Sequence, residues 1–279
     1  MSDQFPEPMQ PEKTPPGEYQ PGLRIVCMSK GRPVDVQEMV MSLFPRPTIV
    51  VPQEEWGDYV DAGVDEQLLV PHPEQYTDEE GNRRELNGIG PVRQWCLDTF
   101  EEEVLVFMDD DVYELNSLLG WKGRDLSRPN LAEFVVRHTT QCAVDAGVHL
   151  FGWSQVGSDV RRFYPQLPFS LASWSGSTIG VIGREVRYDP NLRLRADIDF
   201  FMQSLLKHRW MWLENRFSFS HHRFDMQGGL AGIRSSNENE KELEYLKQKW
   251  GQYLRFDKKK GTINIKLEVD RKWSLRQTA

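Results

Sequence analysis

The stretch Val104–Met108, VLVFM, is unbroken apolar sequence that ends on three consecutive aspartates, Asp109, Asp110 and Asp111. Such a run reads as a buried strand, and its neighbours narrow the fold. Leu23–Ser29 (LRIVCMS) reads as a first buried strand, Val34–Phe44 as a helix, and Pro47–Pro52 as a second strand. Leu68–Val70 is a candidate third. GIGPVRQWCLDTF then opens a helix at Gly88–Pro91, with Pro91 suited to the first helical position. Val92, Trp95, Cys96 and Phe100 recur on one face of it. Strands alternating with helices predict an α/β fold, a mixed, mostly parallel sheet flanked by helices. Ligands of such sheets bind beyond the carboxyl ends of the strands. The three aspartates fall at such an end.

Further along, Leu131–Ala146, Ile198–Trp210 and Glu240–Leu254 read as helices, and His149–Val156, Thr178–Val186 and Met211–Ser220 as strands. Asn239 and Glu242 match a capping box at the start of the last helix, whose apolar stripe is Leu243, Leu246, Trp250 and Leu254. Residues 1–21 hold six prolines among Gln, Glu and Gly, a composition that predicts a disordered tail. Residues 22–254 form a single domain, and 255–279 a basic C-terminal extension.

The net charge of −8 over 279 residues conceals an asymmetry. Residues 1–120 carry 25 acidic and 8 basic side chains, net −17, and residues 121–279 carry 17 acidic and 26 basic, net +9. The basic half includes Arg161, Arg162, Arg184, Arg187, Arg193 and Arg195. A polyanionic partner would be drawn to it, with affinity falling as salt rises. Cys27, Cys96 and Cys142 are widely spaced among apolar residues and form neither a disulfide framework nor a CxxC metal site. They read as buried free thiols. No apolar run approaches the ~20 residues that span a bilayer, and the N-terminus lacks a signal-peptide pattern. The expectation is a soluble, cytoplasmic protein without membrane partners.

Three adjacent carboxylates repel one another, and the strand before them supplies no local counter-charge. A divalent cation relieves this, and hard oxygen ligands suit Mg²⁺ or Mn²⁺, which bind substrate phosphates beside one or two carboxylates. The competing reading is a solvated acidic turn. Gly88–Arg93 offers backbone N–H groups and a guanidinium that suit an anion, or an ordinary loop-to-helix turn. Ser29-Lys30-Gly31-Arg32-Pro33 follows the first strand, and Lys30 and Arg32 either hold a nucleotide or are solvated loop charges.

In chain order, a basic loop, a glycine turn with Arg93, a strand and an acidic triplet resemble the GT-A class of nucleotide-sugar glycosyltransferases over about residues 23–254. The resemblance implies a DxD motif at Asp109 and Asp111, with Asp111 the principal metal ligand and Asp109 and Asp110 facing the nucleotide. It implies a donor site built from Ser29, Lys30, Arg32 and Arg93 in 22–120, and an acceptor half in 121–254. RADIDFFMQSL (Arg195–Leu205) is similar to the acidic motif that carries the base of inverting members. This implies Asp197 as base and Asp199 as second candidate, although Ala196 stands where the class has a glutamate. Asp197 also suits a plain helix cap. His221 and His222 resemble the class's C-terminal metal-ligating histidine, and WSGSTIG (Trp174–Gly180) its acceptor loop. Trp153, Trp174, Trp210 and Trp212 are candidates for stacking on sugar or base, with at least two expected in the core.

Within the class, CMSKGRP, GIGPVRQW, VLVFMDDDV and HHRFDMQGG resemble the TET-associated glycosyltransferases of bacteriophages and related elements. That implies a Mn²⁺- or Mg²⁺-dependent enzyme of the host cytoplasm. It would move a hexose or pentose from a nucleotide diphosphate, UDP above all, to a 5-hydroxymethylated pyrimidine such as 5-hydroxymethylcytosine in DNA. The alternatives are a protein or polysaccharide hydroxyl as acceptor, a sugar nucleotidyltransferase, and a non-catalytic sugar- or nucleic-acid-binding module.

Overall fold

The computed structural model describes residues 22–119, 123–155, 167–171, 176, 178–222, 236–251, 253–257 and 264–267. Its strands are β1 (Leu23–Met28), β2 (Thr48–Pro52), β3 (Leu69–His72), β4 (Gln75–Thr77), β5 (Arg83–Glu85), β6 (Val104–Asp109) and β7 (Val112–Ser117). They continue with β8 (Arg124–Asp125), β9 (Leu150–Ser154), β10 (Phe169–Ser170), β11 (Ile179–Ile182), β12 (Trp212–His221), β13 (Leu254–Asp257) and β14 (Asn264–Leu267). The helices are α1 (Pro33–Asp35), α2 (Met41–Leu43), α3 (Trp56–Asp61), α4 (Ile89–Thr99), α5 (Pro129–Asp145), α6 (Ala196–His208) and α7 (Ser236–Trp250). A π-turn over Val36–Val40 joins α1 to α2.

The main sheet runs β3-β2-β1-β6-β11-β9-β12-β7-β8, with β10 beside β12. From the pairings, β1, β2, β3, β6, β8, β9 and β12 point one way and β7, β10 and β11 the other. This is the expected mixed, mostly parallel sheet. Side chains alternate across it with the period of two that a strand dictates. Val26, Met28, Leu105 and Phe107 pack under α4, α6 and α7, and Ile25, Cys27, Val104, Val106 and Met108 pack against α5 and the Val36–Phe44 turn. VLVFM is continuously apolar because both faces of the sheet are covered. Gly180 lies opposite Phe151 in the β11–β9 pair, and a Cβ there would come within 2.0 Å of the Phe151 ring, so that ring is accommodated by a missing side chain.

Several elements differ from the reading of the sequence. α4 begins at Ile89, two residues before Pro91. Pro91 is tolerated because first-turn N–H groups have no helical partner anyway. The last helix runs Ser236–Trp250, so Asn239 lies inside it rather than at its start, and Leu254 belongs to β13. Leu254 nevertheless joins the same core as Leu246. Strand β7, right after the acidic triplet, carries no strong apolar signal and was not anticipated. Cys27 and Cys96 are buried free thiols, but Cys142 is only half-buried. Among the described residues no helix is long and apolar enough to cross a membrane.

Candidate active site

Asp109 ends β6 beside Met28 at the end of β1, while Asp110 and Asp111 turn the chain into β7. β7 pairs antiparallel with β12, and the register shifts between Ser220 and His221 just where the strands meet this turn. The shift delivers the imidazole: His221 Nδ1 lies 3.2 Å from Asp111 Oδ1. The backbone N–H of His222 closes the same corner by donating to the Asp111 carbonyl at 3.1 Å. One ligand atom each from Asp109, Asp111 and His221 lies within 4.8 Å of the others, the one such group among the described residues. Two hard carboxylates with one imidazole fit a divalent cation, and the nitrogen favours Mn²⁺ over Mg²⁺. His222 is outside the group. Its ring stacks on Tyr113, with centroids 4.1 Å apart.

Asp110 turns the other way. It is buried, and accepts from Ser29 Oγ at 2.7 Å and from Arg32 Nη1 at 2.7 Å. Tyr59 Oη donates to the same Ser29 hydroxyl at 2.7 Å. Burial pushes the Asp110 carboxyl up to about 6 against the pull of Arg32 and Ser29. Ser29, Arg32 and Asp110, expected as separate nucleotide contacts, are thus tied into one knot that locks the loop after β1 to the acidic turn. Gly31 takes φ 67°, a left-handed conformation that suits glycine, and Lys30 beside it is exposed. Burial and the three neighbouring aspartates raise Cys27 well above an ordinary thiol, so it is inert.

Arg93 is the most buried cation of the site, 2% exposed. Its Nη2 donates to Asp109 Oδ1 at 3.0 Å. Burial works against its charge, but Tyr188, Asp109 and Asp197 outweigh that and raise its pKa. Arg93 therefore couples the Asp109 side of the cleft to Asp197, in the first turn of α6. For Asp197 burial dominates and raises the pKa to about 6, with Arg93 the strongest opposing influence. The folded protein holds that proton more tightly than the unfolded chain does. The group's contribution to stability is thus complete below about pH 4 and fades as pH rises through about 6.

The glycines of GIGPVR explain this juxtaposition better than anion binding does. Gly88 has φ 117°, and a Cβ on it would sit 2.8 Å from Arg193 Cβ. One on Gly90 would sit 2.4 Å from Ala196 Cβ and 3.0 Å from the Leu192 carbonyl. α4 and the start of α6 therefore approach through bare backbone, and Ala196, with no exposed surface, has no space for the glutamate of the resembling class. Gly90→Ala is expected to cost about 1–3 kcal/mol by overpacking, lowering the melting temperature by about 2–4 °C per kcal/mol. An unchanged thermal transition would show that the contact is not tight.

Asp199 is not beside Asp197. Two residues apart on a helix, the two point to different faces. Asp199, with no exposed surface, accepts from Trp250 Nε1 at 2.7 Å, Lys249 Nζ at 2.8 Å and Gln203 Nε2 at 2.6 Å. It is a structural anchor for α7, which corrects its candidacy as a base. Trp153 belongs to the core and Trp212 stacks on Phe169, while Trp210 is half exposed. Trp174, Ser175 and Ser177 of the glycine-rich loop, Arg161, Arg162, and most of the basic extension lie outside the described residues. Sequence reasoning missed Tyr188 beside Arg93 and Glu242 beneath α6. Tyr188 sits in no motif and Glu242 only in a local capping pattern, and tertiary packing brings both in.

No family model matches the chain, and no curated protein matches it. Solved structures do. TarS 1–349 of S. aureus, in complex with UDP-GlcNAc, is 14% identical with a TM-score of 0.45, over 73% of this chain and 60% of that one. Glucosyl-3-phosphoglycerate synthase of Mycobacterium tuberculosis, in complex with Mn²⁺, UDP-glucose and phosphoglyceric acid, is 13% identical with a TM-score of 0.46, over 89% and 88%. A mycobacterial protein is 15% identical with a TM-score of 0.49, over 88% and 83%. In the complex with UDP-GlcNAc, the chain spans less than two thirds of the TarS fragment's length.

Proposed function

We propose that the protein is a metal-dependent glycosyltransferase that moves a sugar from a nucleotide diphosphate, UDP above all, to an acceptor hydroxyl. The observation that carries this reading is the convergence of Asp109, Asp111 and His221 at the strand ends, with Asp197 coupled to them through Arg93. Asp109, Asp111 and His221 would hold the cation, whose contribution when bound is to neutralise the donor's diphosphate. Arg93 adds a buried, fixed positive charge where negative charge develops on the leaving diphosphate. Asp197, ionised above about pH 6, takes the proton of the acceptor hydroxyl. The hydroxyl oxygen then bonds to the anomeric carbon as the bond to the diphosphate oxygen breaks and UDP leaves. A carboxylate base acting directly on the acceptor implies inversion at the anomeric carbon, which the product's anomer reports.

For the acceptor we propose a 5-hydroxymethylated pyrimidine in DNA. The support is the motif resemblance together with the charge split, net +9 over residues 121–279 against net −17 before them. Incubation with UDP-glucose and UDP-N-acetylglucosamine, Mn²⁺, and 5-hydroxymethylcytosine, 5-hydroxymethyluracil or unmodified DNA tests both levels. A hexose mass on a hydroxymethylated nucleoside alone supports the acceptor. UDP release without a modified nucleoside refutes the acceptor and leaves the chemistry standing.

The base assignment also fixes a pH profile. The kcat/KM of the free enzyme should rise with pH along an acid limb near 6. Asp110 lies in the same range, so the limb is assigned by its loss from the residual activity of Asp197→Asn. A limb near 4 would contradict the raised carboxyl.

A further inference from the structure

We infer that helix α7 sets the geometry of the proposed base, and that Glu242 is the positioning residue through which it does so. This rests on the functional reading above. α6 starts without a cap of its own: its N-cap residue is Arg195, which makes no side-chain capping bond. In place of a local cap, the Glu242 carboxylate reaches in from α7 and is 5% exposed. Its Oε1 accepts from the backbone N–H of Arg193 at 2.8 Å and of Leu194 at 3.1 Å. Its Oε2 accepts from Leu194 at 3.0 Å and Arg195 at 3.0 Å. Three consecutive peptide groups, ending two residues before Asp197, are thus held by one buried anion.

The same helix grips α6 a second time, one turn further on. Trp250 Nε1 and Lys249 Nζ both bind Asp199, and Lys249 and Tyr245 also bind Asp189 at 2.6 and 2.7 Å. Leu243 and Leu246 are buried between the two polar clamps. Asp197 lies between the clamped backbone of 193–195 and the clamped side chain of Asp199. Its carboxylate direction is therefore fixed from outside its own helix. The Arg195 guanidinium, influenced by both Asp197 and Glu242, couples the two carboxylates. A carboxylate suits this role because an ionised acceptor makes stronger bonds to N–H than a neutral one does. It also lies at the positive end of α6.

The test compares Glu242→Ala and Glu242→Gln with the wild type, with Glu244→Ala on the exposed side of α7 as control. UDP release and product formation are measured with the donors and DNAs named above. Backbone amide exchange at Arg193–Arg195 is followed in parallel. Glu242→Ala should speed exchange at those amides and lower kcat by about 10–100-fold, the scale of a displaced catalytic group. KM for the donor and the affinity for UDP with Mn²⁺ should stay within about twofold. Glu242→Gln, which keeps one good acceptor, should recover part of the loss in kcat. It carries the test if the alanine variant does not fold.

Faster exchange with unchanged kcat would make Glu242 a structural residue only and overturn the inference. A parallel loss of kcat, UDP affinity and melting temperature, with no rescue by Gln, would do the same. A wild type that releases no UDP from either donor would remove the functional reading and this inference with it. An active wild type with an unaffected variant removes the inference alone.

Discussion

Asp111→Ala is expected to abolish metal-dependent release of UDP from a UDP-sugar, a loss of at least about 10³-fold for several kcal/mol of charge stabilisation. Asp111 is one of two carboxylates in the cluster and lies within 3.2 Å of the third member, His221. Its removal leaves one carboxylate, already shared with Arg93, and a histidine that has lost its contact with Asp111. The backbone contact that closes the corner, His222 N–H to the Asp111 carbonyl, survives the substitution. A loss of activity therefore reads on the ligand and not on the fold. Titration of Mn²⁺ against UDP release measures it, with direct Mn²⁺ binding by calorimetry as the second readout. Activity that persists at the wild-type level would remove Asp111 from the metal site.

Asp197→Asn should lower kcat by about 10²–10⁴-fold, the usual scale of a lost general base, and leave UDP–Mn²⁺ affinity within about twofold. The asparagine keeps the shape of the side chain in the first turn of α6 but cannot take a proton. Arg93 retains its bond to Asp109, so the donor side is preserved. Initial rates at saturating donor and acceptor, with UDP binding measured separately, divide the two effects. A fall in UDP affinity as large as the fall in kcat would place Asp197 in binding.

Much of this fold is legible in the sequence because its strands are covered on both faces and so are uniformly apolar, as Val104–Met108 shows. β7 was hidden for the converse reason: VYELNS mixes Tyr113 and Glu114 with buried Asn116 and Ser117. Yet β7 is the element that brings His221 to Asp111. The pairing of distant carboxylates with residue types suited to them was visible; which oxygen faces which partner was not. Asp110 looked like a nucleotide contact, and its carboxylate accepts from Ser29 and Arg32. Asp199 looked like an alternative base and is instead the anchor of Trp250 and Lys249. Glu242 matched a local capping pattern with Asn239, but caps a segment 47–49 residues earlier in the chain. Local patterns report the chemistry a side chain is suited to, and tertiary packing decides where it is used.

The most direct test of the central claim is to incubate the protein with UDP-glucose or UDP-N-acetylglucosamine and a hydroxymethylated DNA, with and without Mn²⁺, and to identify the released nucleotide. Mn²⁺-dependent release of UDP is predicted, and its disappearance in Asp111→Ala ties it to the Asp109, Asp111 and His221 group. Release of UMP or of a sugar 1-phosphate in place of UDP, or UDP release that is indifferent to metal, would contradict the account.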